Sequence, residues 1–558
     1  MAHFQVPAGT KNDIAVLNGI SKNTMTFIEA SANNPNVIDA NKIEWLCKDV
    51  NAKQMVHESG ICIIDAKIHN RLRIDNVTIN FPLQFTRCTF DDTIFCTCSH
   101  IASLIISKSN LKALYLNNST ISNNLILSNS IFYGNLIFPN ANINGNCKID
   151  SSVFLDSSTT SINCYCSNIL GSLFLTNSII ANEFDFYGAH IFKDIDLSNS
   201  FFKNKSHSII GCNALIDQSM LLIHTNAYGE LNIVNSTINN SIEIDSAHFV
   251  NKNGITLNAG GIKVTRGINI RKITNIGTFS LTGSTINSDI VFLSSVFKVL
   301  RPYDIVIQAE GINLNGNLYL TKDNTIYGRI SLNNSQISKC LFLECDTLSN
   351  IYLDLQNSKA NVYHDTSTFR LRLNGLNLNG FCYSSIDNKA SLKDLLEWVK
   401  LSSLHNYSTQ PYNQLSEYLF KIGKEEEAIS VLIQKKKDLL KYTKQPFANE
   451  LGLKIFGFVG YGYKPENILY VSFFIILFGY WLFRFAYNNG LMIVSKEIPY
   501  VKGKLGDKSS LNKSIKFFAL MYSFELFIPI SNYSRSRVNK TFSVTEGSKH
   551  FTRSSKTL

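Results

Sequence analysis

One short motif recurs about two dozen times between Ile61 and Leu378, and it constrains this chain more than any other feature. A large apolar residue is followed by another two positions on, a small residue at position five and a further apolar residue at position seven. The motif then restarts, usually after about ten or eleven residues. Clear copies are Leu114-Leu116-Ser119-Ile121, Leu125-Leu127-Ser130-Phe132, Leu173-Leu175-Ser178-Ile180 and Phe184-Phe186-Ala189-Ile191.

Side chains alternate along a strand, so positions zero and two share a face, as do five and seven. Each motif therefore gives two short strands joined by a bend at positions three and four. The bend is polar, as at Ser128-Asn129, Thr176-Asn177 and Ser198-Asn199. Asn suits it, because it accepts left-handed backbone angles and bonds to its own chain. Two motifs, about 22 residues, close one coil, and about fourteen coils stacked at roughly 4.8 Å make a rod on the order of 65–70 Å long. The expected fold is mainly β: a right-handed parallel β-helix over 61–385, followed by an α-helical hairpin and a transmembrane helix.

The period slips near 155–161, 203–213, 222–230, 298–304 and 361–370. These are expected to leave the rod as loops and to be the best candidates for a binding face. The segment 1–60 is expected to cap the first coil, with Ile43, Leu46, Cys47 and Val50 at helical spacing and Asp39 or Asn41 as N-cap.

The chain carries 53 basic and 42 acidic side chains. Residues 1–385 balance at 28 of each, whereas 386–558 hold 25 basic and 14 acidic, so the surplus lies wholly in the C-terminal third. A basic flank beside apolar segments fits an anionic membrane surface, and a neutral rod offers nucleic acid no basic stripe. The first sixteen residues lack the pattern of a secretory signal. The twelve cysteines follow the repeat, with Cys96, Cys147 and Cys164 in inward slots and Cys88 in the small-residue slot. They read as packing in a reduced compartment rather than as a disulfide framework.

After Leu378 helical spacing begins. Ser391 with Asp394 reads as a capping box ahead of Leu392, Leu395, Leu396 and Val399. Pro411 opens a helix carrying Leu415, Leu419 and Ile422 and stopped by Gly423; another runs from Lys424–Glu427 through Ala428, Val431 and Leu432 to Lys435-Lys436-Lys437. These place a helical hairpin region at 386–445. A membrane-proximal segment and a transmembrane helix follow at 446–490, the span itself at about 467–487. The remainder, 491–558, reads as a basic tail whose apolar stretch, about 517–530, is short for a span and suits an interfacial or re-entrant segment.

Four stretches carry a resemblance: Ile43-Glu44-Trp45-Leu46; Gln410-Pro411-Tyr412-Asn413-Gln414-Leu415 with Gly423-Lys424-Glu425-Glu426-Glu427-Ala428 and Val431-Leu432-Ile433; Gly460-Tyr461-Gly462-Tyr463-Lys464-Pro465; and Leu520-Met521-Tyr522-Ser523-Phe524-Glu525-Leu526-Phe527-Ile528-Pro529. In these the chain resembles a bacterial family of membrane-attached β-helix proteins, related in style to pentapeptide-repeat proteins. Some members are labelled membrane-associated oxidoreductases, but the resemblance implies no established activity. Similar chains continue into a second hydrophobic span, whereas this one ends in Ser- and Lys-rich residues, which leaves a two-span topology open.

Candidate chemistry is sparse. No GxGxxG follows a strand and opens a helix, so no nucleotide cofactor is expected. The Cys96/Cys98 and Cys164/Cys166 pairs, the first near His100, should each split across the wall, one thiol inward and one at the corner, which suits packing over metal ligation. Cys340 and Cys345 are expected to be more exposed. Glu183, Asp185, Asp194 and Asp196 are the nearest thing to a carboxylate cluster, but residues eleven apart should occupy opposite walls. The expected function is a non-enzymatic scaffold, without metal or cofactor, anchored to the bacterial inner membrane. Its β-helix would lie in the cytoplasm and present a rigid rod to a protein partner, with self-assembly into a homo-oligomer as a further possibility and no role for nucleic acid. Lys435, Lys436, Lys437, Lys441 and Lys444 would meet anionic headgroups. The alternative is an enzyme, glycan-active or redox, with its site in an insertion loop.

Overall fold

In a computed structural model, the structure describes residues 36–156, 160–345, 350–387, 390–402, 407–443, 457, 459–463, 465–489 and 518–527. The chain divides into two compact units, 1–423 and 424–558.

The first unit is a parallel β-solenoid of about fourteen coils with about 22 residues per turn. Its strands form two parallel sheets that face each other across the core. A typical coil gives Ile131–Phe132 and Leu136–Ile137 to the first sheet, then Asn142–Ile143 and Cys147–Lys148 to the second. Each strand pairs with its equivalent one coil on, as in Leu114 with Leu136 and Ile131 with Val153. The inward positions are fully buried, and stacked rings such as Phe132 and Phe154, with centroids 4.4 Å apart, run down the axis.

The corners explain the rest of the motif. Position four is left-handed at Asn118, Asn129, Asn140, Asn177 and Asn199, with φ between 54° and 58°. Among the described residues Asn takes eleven of the 22 non-glycine positions with positive φ, so tolerance of this backbone, and not polarity alone, selects it. The small residue at position five answers a different need. Ser178 Oγ donates to the Ile149 carbonyl at 2.9 Å and accepts the Ser152 N–H at 3.1 Å. Ser152 does the same for Leu127 and Ser130. Each serine thus satisfies buried corner groups that the ladder leaves over.

Most excursions from the period leave from one corner, the bend between the two first-sheet strands of a coil. Such loops join Val153–Phe154 to Ile162–Asn163, Phe201–Phe202 to His207–Ile210, and Val296–Lys298 to Ile305–Gln308. The expected loop at 222–230 is absent: Met220–Ile223, Asn226–Ala227 and Glu230–Asn232 follow almost without interruption, and Gly229 makes the corner at φ 148°. A bulge at 251–254, inside the strand His248–Asn258, takes its place. The slip at 361–370 is a strand, Lys359–Asp365, followed by a short helix, Ser367–Leu371.

Both described ends of the solenoid are covered by helices. Ala40–Lys48 is capped by the Asp39 carboxylate, which accepts the Asn41 N–H, and it buries Ile43, Leu46 and Cys47. Val50 does not extend that stripe. Asp49 caps a separate helix, Val50–Met55, and this rotates Val50 into solvent. At the other end, Ser391 and Asp394 bond reciprocally as a capping box ahead of Leu392–Ser402. Trp398 stacks on Tyr363 with centroids 5.0 Å apart. The helix Gln410–Lys421 satisfies the last strand directly: Gln414 Nε2 donates to the Tyr383 carbonyl at 2.8 Å and Tyr418 Oη to that of Ile386 at 3.2 Å. Ile422 is not part of its buried face; it caps the C-terminus and is exposed. The hairpin region expected at 386–445 is therefore divided, with helices 392–402 and 410–421 in the solenoid unit and Glu425–Tyr442 in the second.

Candidate functional site: an apolar helical unit

The described part of the second unit contains the helices Glu425–Tyr442, Pro465–Asn488 and Ala519–Phe527. Residues 466–488 form a helix long and apolar enough to cross a membrane, and none of its most apolar window is buried. Its 23 residues extend about 35 Å at 1.5 Å each, against about 30 Å for a hydrocarbon core. Leu469, Phe473, Phe474, Phe478, Trp481 and Phe485 are all more than half exposed. A core helix would hide such residues. Ser472 returns its hydroxyl to the Ile468 carbonyl at 2.7 Å, and the Arg484 guanidinium bonds to the Tyr480 hydroxyl and lies over its ring. The polar groups of the helix are thus partly satisfied within it, as a low-dielectric surrounding demands.

The second apolar stretch is a helix over Ala519–Phe527 that packs against the first. Ser523 donates to the Ile476 carbonyl at 2.7 Å, and the Phe483 and Tyr522 rings meet edge to face at 4.8 Å. A Cβ on Gly479 would lie 2.2 Å from Ser523 Oγ, so glycine is what admits the contact. Close approach through small residues with a hydroxyl bond across is a known solution for helices in lipid. The sequence signal was present as Gly479 and Ser523 within apolar runs, but nothing in either run pairs them. Ile528, Pro529 and Ile530 lie outside the described residues.

Of the five nominated lysines, the four described differ in exposure. Lys437 and Lys441, one turn apart on Glu425–Tyr442, are exposed. Lys435 and Lys436 are half-buried; burial, with Lys436 adding to it, holds the Lys435 ammonium below its ordinary pKa. Lys444 lies outside the described residues.

On the rod, Cys96 and Cys164 are fully buried, while Cys98 and Cys166 occupy left-handed corners. Burial pushes the Cys96 and Cys164 thiols well up, away from the reactive thiolate. His100 Nε2 meets Ser122 Oγ at 2.9 Å on the outer wall. Cys340 is half-buried, but Cys345 is not exposed as expected: it follows Leu341 and Leu343 in the inward register and is fully buried, its Sγ donating to the Asn324 carbonyl at 2.8 Å.

Asp185 lies on the first sheet and Asp196 on the second. Each accepts the N–H two residues on: Tyr187 to Asp185 at 2.9 Å and Ser198 to Asp196 at 3.0 Å. Asn163 and Asn232 do the same for Tyr165 and Val234. Asp194 accepts the Ser219 N–H at 2.9 Å. These carboxylates brace corners, a role that composition conceals because Asn fills the equivalent positions. Burial raises the Glu183 and Asp185 carboxyls, and for Glu183 the Asp185 charge adds to the effect. No family model, no curated protein and no solved structure matches this chain.

Proposed function

We propose that the chain is a membrane-anchored, non-enzymatic β-solenoid scaffold that presents a rigid rod to a protein partner at the cytoplasmic face of a bacterial inner membrane. The observation that carries this reading is the apolar helix 466–488, whose most apolar window has no buried residue. Large exposed aromatic and aliphatic side chains along a full bilayer length are costly in water and favourable in lipid. Lys437 and Lys441, with Lys435, Lys436 and Lys444 near them in sequence, would add attraction to anionic headgroups of roughly 1 kcal/mol per residue close to the surface. Kinship with the bacterial membrane-attached β-helix family belongs to the same proposal, and so does the absence of a catalytic role. The covered solenoid ends favour presentation of the long walls over stacking of rods end to end.

Flotation and fractionation test it. Full-length protein is expected to float with anionic vesicles and resist extraction by salt and carbonate, and deletion of 466–558 to release the solenoid into the soluble fraction. A full-length protein that stays soluble, unchanged by the deletion, overturns the anchor.

A further inference from the structure

A cleft of about 420 Å³ opens on the insertion corner of the solenoid, lined by Lys252, Asn253, Gly254, Gly277, Thr278 and the segment that contains Val299, Leu300, Arg301 and Asp304. Its walls are the bulge 251–254 and the loop 299–304, which leave from the same corner two coils apart. The intervening coil turns that corner at Gly277, buried and with φ 134°. A Cβ there would lie 2.3 Å from the Asn251 carbonyl oxygen, so glycine keeps the floor low. At about 4.8 Å per coil the wall backbones stand roughly 10 Å apart centre to centre, which leaves a gap of about 6 Å once the thickness of the walls is taken off, room for a single sugar ring.

The chemistry of the lining is specific. Lys252 projects from one wall and Arg301 from the other, both exposed, and neither has an ion pair or side-chain hydrogen bond to another described residue. Several other arginines of the rod are paired, as Arg87 is with Asp65, Arg271 with Glu243 and Arg370 with Asp365. Asp304 and Asn253 add polar groups, and Val299 and Leu300 an apolar patch. The Thr278 hydroxyl and the Asp304 carbonyl are already engaged, with Ile305 and Arg329, and these bonds hold the loop in place.

We propose that this cleft binds an anionic monosaccharide. Its carboxylate or phosphate would lie between Arg301 and Lys252, its hydroxyls on Asp304 and Asn253, and its apolar ring face on Val299 and Leu300. The planar guanidinium suits either anion bidentately, and the volume falls in the range of small-molecule sites. The proposal does not depend on the membrane anchor.

The test is titration of the full-length protein in detergent micelles with glucuronate, glucose 6-phosphate and glucose, followed by saturation-transfer NMR and calorimetry. At least one of the two anions is expected to bind about tenfold or more tightly than glucose, and the paired substitution Lys252→Ala/Arg301→Ala to weaken it by about tenfold or more. Uronate alone marks a carboxylate ligand and phosphate alone a phosphorylated one; either supports the site. Both substitutions remove exposed, unpaired side chains, so the circular dichroism spectrum and melting curve are expected to stay unchanged. Lys263→Ala, on the other sheet, should leave binding intact. No binding of either anion at about 10 mM, equal binding of glucose, no effect of the paired substitution, or an equal loss on Lys263→Ala overturns the proposal.

Discussion

The Ser523 hydroxyl donates to the backbone carbonyl of Ile476 at 2.7 Å, and it reaches that carbonyl only because Gly479, one turn further on, has no side chain. This joins two apolar segments more than forty residues apart into one helical pair. Gly479→Leu is expected to separate them at a cost of about 1–3 kcal/mol, and Ser523→Ala to cost about 1 kcal/mol. Hydrogen exchange in micelles checks this: amides of Ala519–Phe527 should exchange faster in both variants and fastest in Gly479→Leu. Unaltered protection in Gly479→Leu would sink the packing argument.

The corner serines make a second prediction. Ser178→Ala nearly keeps the volume but strands the buried Ile149 carbonyl and Ser152 N–H, and should destabilise the solenoid by about 2–4 kcal/mol. Asn177→Ala, on the neighbouring left-handed corner, should cost about 1–2 kcal/mol, while Asn177→Gly should cost less. Urea melts followed by circular dichroism measure all three.

Asp185 ties stability to pH. Burial raises its carboxyl pKa in the folded state, so the folded protein holds a proton more readily than the unfolded chain does. Stability then falls as pH rises from the unfolded value through the folded one, and the penalty is complete above the folded one. Asp185→Asn, which keeps an acceptor for the Tyr187 N–H, is expected to raise the melting temperature at pH 7. The gain should vanish below about pH 4, where both states are protonated. A gain that persists in acid would assign the effect to something other than the charge.

Removing the C-terminal cover should expose a strand edge. Trp398→Ala deletes a buried ring stacked on Tyr363 and should cost about 3–5 kcal/mol. With the last coil uncovered, concentration-dependent self-association should appear in sedimentation velocity. A variant that unfolds locally yet sediments like the parent would show that the helices 392–421 are not needed to block edge pairing.

The sequence by itself determined the coil. The inward slots, the left-handed Asn corners and the two-motif turn all depend on neighbours within about eleven residues, and the backbone alternation that sets them is local. The apolar helix 466–488 was legible for the same reason, since length and composition suffice. Tertiary structure decided the rest, because it turns on residues a coil or more apart. It put Cys345 in the core and Val50 outside it, and it made Asp185 and Asp196 corner braces. It also turned the helices 392–421 into a cap, gathered the insertions at one corner with Lys252 and Arg301 facing across Gly277, and brought Ser523 to Gly479. A periodic sequence specifies what each coil looks like; only the stacking of coils specifies what its exceptions meet.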